Sequence, residues 1–68
     1  MAKIKYNRIK VVLAEKNMTN KGLAKGLNFT DATVSRWVTN DSQPRVEVFY
    51  EIAKFLDVDI RELFNSTK

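Results

Sequence analysis

No cysteine and no histidine occur in this chain. Disulfide stapling, the usual zinc-finger ligand sets, thiol chemistry and histidine-based acid-base catalysis are therefore excluded, and nothing points to an oxidising compartment. Glycine is scarce, with two residues, and Gly22 and Gly26 cannot make a phosphate-binding glycine loop. The chain has no internal repeat, low-complexity tract, linker or alternating strand pattern. Its start, Met1-Ala-Lys-Ile-Lys-Tyr-Asn-Arg8, lacks a long apolar run, and no segment approaches the roughly 18 apolar residues of a membrane span. These absences lead us to expect a cytoplasmic protein with no membrane partner. The carboxylates are scattered over polar faces, so the expectation is also of a non-enzyme with no cofactor, no metal and no evident small-molecule ligand.

What is present is basic and unevenly so. The 68 residues carry a net charge of +4. Residues 1–45 hold nine Lys or Arg against three acids, and residues 46–68 hold three against five. One half thus suits a polyanion. A chain of this length makes one domain, 1–68 with a core of about 6–64, near the lower limit at which a core holds without metal or disulfide.

The most informative stretch is Thr19-Asn-Lys-Gly-Leu-Ala-Lys-Gly-Leu-Asn-Phe-Thr-Asp-Ala-Thr-Val-Ser-Arg-Trp37. Thr19 and Thr30 are placed as N-caps, each hydroxyl able to accept from a first-turn amide. Leu23, Ala24 and Leu27 fall at helical spacing between them, and Asn28 tolerates the left-handed conformation that ends such a helix. Val34, Trp37 and Val38 make an inward stripe in the next helix. Asp31, Ala32, Thr33, Ser35 and Arg36 are left facing outward or sideways. Two short helices with a tight turn, the second small and polar outside, have the layout of a DNA-reading helix-turn-helix.

Three further helices frame this pair. Ile9, Val12 and Leu13 predict a first helix over about Tyr6 to Lys16. Helix two runs from about Asn20 to Leu27, where its two glycines each cost about 1 kcal/mol relative to Ala and packing must compensate. Helix three spans about Asp31 to Thr39. After the polar loop Asn40–Pro44, Phe49, Ile52, Ala53 and Leu56 predict a fourth helix over about Val46 to Leu56. Asp57-Val-Asp59 caps a last short one, Ile60 to Phe64. The fold class is all-α: a compact five-helix domain with short connections.

In order along the chain, Asn7-Arg-Ile-Lys10, Leu23-Ala24, Thr33-Val-Ser-Arg-Trp37, Gln43-Pro44, Ile52-Ala-Lys-Phe-Leu56 and Val58-Asp-Ile-Arg-Glu-Leu-Phe64 resemble the Cro and phage-repressor type of helix-turn-helix. The resemblance covers about Asn7 to Phe64 and implies a lambda-repressor-like domain, bacterial or phage-encoded. It also implies a function: sequence-specific double-stranded DNA binding and transcriptional regulation, repression favoured over activation, with helix three in the major groove. Asp31, Ala32, Thr33, Ser35 and Arg36 then stand where base edges are met. Asn20, Thr39, Asn40, Ser42, Gln43 and Arg45 stand where phosphates are gripped by side chains and main-chain amides. Homodimerisation is implied at the C-terminal end, through Val58, Leu63 and Phe64. Asp31 either accepts from a cytosine amino group or serves chiefly as a helix-start charge, the second being favoured. Gly22 departs from the family's larger residue, and Asn28 replaces a frequent glycine. Leu13 and Val38 replace a frequent Arg and Glu ion pair, which predicts an apolar contact between them.

Plainer readings stand beside these. Trp37 reads as a packing residue before a base-stacking platform, and Tyr6 and Tyr50 as partly buried rings with a wet tip before phosphate ligands. Lys3, Lys5 and Lys10 read equally as an arm tracking a DNA backbone and as a solvated face. The alternative function is an antitoxin or adaptor acting mainly through protein contacts. It ranks second because only four residues follow Phe64.

Overall fold

In the computed structural model, which describes residues 4–67, the apolar spacing resolves into four α-helices and one 3-10 helix. They are α1 (Ile9–Glu15), α2 (Asn20–Leu27), α3 (Asp31–Val38), α4 (Val46–Leu56) and the closing 3-10 helix Ile60–Leu63. The inward residues are those the 3.6-residue period selects. Ile9, Val12 and Leu13 meet Leu23 and Ala24, Val34, Trp37 and Val38, and the α4 stripe Phe49, Ile52, Ala53 and Leu56 in one core that Leu63 closes. α2 packs on both α3 and α4, and α1 packs on α3 and on the closing 3-10 helix.

The fifth element corrects the expectation of five α-helices. Ile60–Leu63 is four residues long, too short for continuing α-type bonds, and the tighter 3-10 pattern suits such a length. Asp59 caps it, accepting from the Arg61 amide, and the Glu62 side chain reaches back to the Asp59 amide to complete a capping box.

α1 starts later than its apolar spacing suggests. Asn7 pairs with Phe64 in an isolated antiparallel bridge, with the Arg8 amide donating to the Leu63 carbonyl at 2.9 Å and the Asn65 amide to the Tyr6 carbonyl at 3.0 Å. This bridge draws residues 6–8 out of the helix. Arg8 provides no side-chain cap, and the Asn7 carboxamide accepts from the Ile9 amide instead, at 3.1 Å.

The two glycines do not serve the turns. Asn17, Asn28, Asn40 and Asp57 hold the positive φ values, at 55°, 64°, 62° and 57°, and no glycine does. Asn and Asp tolerate this region better than other side chains. Gly26 instead permits close approach: a Cβ there would run into the Phe55 ring across the α2–α4 contact. At Gly22 a Cβ would meet Met18 Sδ at 2.8 Å and the Thr19 hydroxyl at 3.2 Å, so a larger residue there would crowd the α2 cap. Packing offsets the weak helix propensity of α2, as its composition requires.

Candidate nucleic-acid interface

Two threonine caps start the helices of the central pair. Thr19 Oγ1 accepts from the Gly22 amide at 2.9 Å, and Thr30 Oγ1 accepts from the Thr33 amide at 3.2 Å. Asn28 ends α2 in the left-handed conformation, as its place in the sequence suggests. Phe29, in the turn, sets its ring edge-on to Trp37 with centroids 4.9 Å apart. Trp37 is thus a buried packing residue that locks the turn against α3.

Asp31, Ala32, Ser35 and Arg36 lie exposed on α3, and Thr33 is half-buried. The Thr33 hydroxyl hydrogen-bonds the Thr30 hydroxyl at 2.8 Å, which draws it toward the cap. The Ser35 and Arg36 side chains have no partner among the described residues. A guanidinium held this way keeps all five donors for a ligand.

The phosphate set separates into two groups. Ser42 and Arg45 are exposed and Asn20 half-buried, and their side chains stand without partners among the described residues. Thr39, Asn40 and Gln43, which the resemblance also places at phosphates, are bonded within the chain. The single Thr39 hydroxyl proton turns back to its own helix, 3.0 Å from the Ser35 carbonyl and 3.3 Å from that of Arg36. Asn40 exchanges hydrogen bonds with the Asn7 main chain at 3.0 and 3.1 Å, and Gln43 donates to Asn40 and accepts from Asn7. Two main-chain amides of this loop are likewise taken. Those of Asp41 and Ser42 both donate to the Arg36 carbonyl, at 2.8 and 3.2 Å, because the last carbonyls of a helix need partners.

Beside this face a groove is lined by Lys5, Arg8, Lys10, Asn20, Thr39 and Asn65, together with Asn7, Val11, Val38 and Asn40. Its cations are uncompensated by any acid among those residues. Arg8 donates to the Glu62 carbonyl at 3.0 Å, whereas Lys5 and Lys10 are exposed. Lys3 lies outside the described residues. Tyr6 and Tyr50 are more exposed than expected, at 57% and 56%, and the Lys54 ammonium sits 5.7 Å from the Tyr50 ring centroid.

The dimer set also needs correction. Leu63 is fully buried in the chain's own core, so it has no area left for a second copy. Phe64 is 41% exposed with its ring tilted on that of Phe49, and Val58 is half-buried. Missed in the sequence was Asn7, buried to 2% exposure and bonded to the loop after α3. Its signal was an Asn two residues before the first apolar residue of a helix, where a cap belongs.

Comparison with known proteins agrees with this geometry. The helix-turn-helix family model matches residues 9–63, and the chain belongs to that family. No curated protein matches it. Among solved structures it is similar to one described as "Crystal structure of a putative DNA-binding protein from Bacteroides fragilis", with 48% identity and a TM-score of 0.87, covering 88% of this chain and 97% of that one. No helix among the described residues is long and apolar enough to cross a membrane, and no group of acids there is arranged to hold a metal ion.

Proposed function

We propose that the protein binds double-stranded DNA in a sequence-specific way and regulates transcription as a repressor, with α3 in the major groove of a lambda-repressor-like domain. The observation that carries this reading is the exposed α3 face. Asp31, Ala32, Ser35 and Arg36 project from it with Thr33 at its edge, and small side chains beside a free guanidinium let a helix approach base edges closely. Asn20, Ser42 and Arg45 flank that face with donors suited to phosphate, and Lys5 and Lys10 extend the positive surface along α1. The crystal structure with 48% identity, described as that of "a putative DNA-binding protein", supports the same direction.

The reading includes a homodimer on a two-fold operator, paired through Val58 and Phe64 at the C-terminal end. Such pairing sets the recognition helices about 34 Å apart, one turn of DNA.

Selection of bound sites from random duplexes, with binding measured across salt concentration, tests both parts. The expected result is a preferred half-site repeated at one-turn spacing and a steep salt slope. Selection that yields no preferred sequence, together with binding insensitive to salt, overturns the DNA reading. A single unpaired half-site overturns the dimer.

A further inference from the structure

Asn7 is the one buried polar residue among the described residues, and its main-chain and side-chain polar atoms are all paired. Its Nδ2 donates to the Trp37 carbonyl at 3.0 Å and to Gln43 Oε1 at 2.7 Å. Its amide donates to Asn40 Oδ1 at 3.0 Å, and its carbonyl accepts from Asn40 Nδ2 at 3.1 Å and Asn65 Nδ2 at 3.2 Å. Its Oδ1 takes the first free amide of α1. One residue therefore stitches together the end of α3, the loop after it, the start of α1 and the C-terminal segment.

We propose that Asn7 is a positioning residue for DNA binding: without touching DNA, it fixes where the α3–α4 loop carries Ser42 and Arg45 relative to the reading face of α3. This rests on the DNA-binding reading above. The physical reason is the strictness of a buried, fully paired amide. Any shift of Asn40 or Gln43 strands a buried donor or acceptor, so the loop has one low-energy placement. Asn40 reinforces it, since its left-handed backbone (φ 62°) turns the chain directly beneath Asn7. Asp41 and Ser42 then hang from the Arg36 carbonyl, and Arg45 follows one residue after the buried Pro44.

The test uses Asn7→Ala and Asn7→Ser. A serine can still accept from the Ile9 amide but cannot reach Trp37 or Gln43, so Asn7→Ser keeps the α1 turn and the main-chain bonds to Asn40 and removes the two Nδ2 bonds that tie the loop side chain Gln43 to the end of α3. Loss of the Arg45 phosphate contact lowers the slope of log affinity against log salt by about 0.9, whereas the neutral Ser42 hydroxyl releases no counterion. Between 50 and 200 mM salt the parent should then lose about 3.5-fold more affinity than either variant. The selected half-site should stay the same, because α3 is intact. In the free protein, hydrogen exchange at the Asp41 and Ser42 amides should accelerate while α2 is unchanged.

A purely structural role would lower the folded fraction alone and leave the slope of the folded protein as it was. If the parent binds duplex with a steep slope and folded Asn7→Ser keeps that slope, the inference is overturned while the DNA reading stands. If the parent binds no duplex, the DNA reading falls and the positioning role falls with it. Should Asn7→Ala fail to fold, Asn7→Ser alone decides.

Discussion

The outer face of α3 and its C-terminal end with the loop that follows carry similar polar residues and use them in opposite ways. On its outer face Asp31 stands exposed in the first turn, and Ser35 and, in the last turn, Arg36 project without partners among the described residues. At the C-terminal end the Thr39 hydroxyl, both groups of the Asn40 carboxamide and the Gln43 side chain are bonded within the chain. The difference comes from what each end of a helix lacks. The first turn has amides to satisfy, and Thr30 takes one while the remaining side chains stay outward. The last turn has carbonyls to satisfy, and the loop folds back over them. The outer face stays open, and the C-terminal end is held in position.

The largest expected effect breaks the position-holding end. Beside its amide stitching lies an apolar seam: Leu13 and Val38 are 3% and 7% exposed in the shared core, and α1 packs on α3. Leu13→Arg should destabilise the protein by about 3 kcal/mol or more, as an unpaired buried charge does, and Val38→Glu should also be costly. The double variant should recover much of the loss by pairing the charges. Denaturant melts of the four proteins measure this, and strictly additive losses would show that the two positions do not meet.

Next in size is the outer face. Arg36→Ala should cost about 1 to 3 kcal/mol on the preferred site and relax the preference there. Arg45→Ala should weaken all sequences about equally and reduce the salt slope by about 1. Binding to the selected site and to scrambled duplexes separates the two. An Arg36→Ala protein with an unchanged preference would remove Arg36 from base reading.

The same comparison explains what the sequence could reveal. Thr19, Thr30 and Asn28 announce themselves because a cap is a local feature, readable from the residue and its neighbours. The core stripes of α2, α3 and α4 are equally local, and Asn20–Leu27 and Val46–Leu56 have the bounds their spacing suggested. Asn40 and Gln43 stand among the phosphate positions by resemblance, and nothing in the residues themselves tells that they also bond Asn7. That partner within the chain lies 33 and 36 residues away, a separation no local pattern encodes. Leu63 was assigned to a dimer face because an apolar residue near a chain end seemed to lack anything to pack on. The bridge between Asn7 and Phe64 draws it into the core.

A smaller effect sharpens the account of the N-terminal end. Thr30 caps α3 and bonds the Thr33 hydroxyl, so Thr30→Ala should cost about 1 kcal/mol of stability. Thr30→Asn, retaining an acceptor at the cap, should lose less. Thermal melts that leave both variants equal to the parent would deny the cap its role.

The smallest effect concerns a helix start remote from α3. At Asp59 the carboxylate caps the closing 3-10 helix and pairs with Arg61, the two side chains 3.1 Å apart at 48% and 87% exposure. The hydrogen bond from the Arg61 side chain, joined by one from the Arg61 amide, holds the Asp59 carboxyl below its ordinary 3.8. A group whose folded-state value is depressed stabilises the fold above its unfolded value and loses that contribution as pH falls through the folded one. The contribution of Asp59 should therefore be constant from neutral pH down to about 5 and disappear below 3.8. Screening at so exposed a pair keeps it small. Asp59→Asn preserves an acceptor at the cap without titrating, so the stability difference between parent and variant isolates the charge. That difference should close as the pH drops below 3.8. A difference that persists unchanged to pH 2 would mean that the carboxylate charge contributes nothing at this cap, and that its hydrogen bonds alone hold the turn.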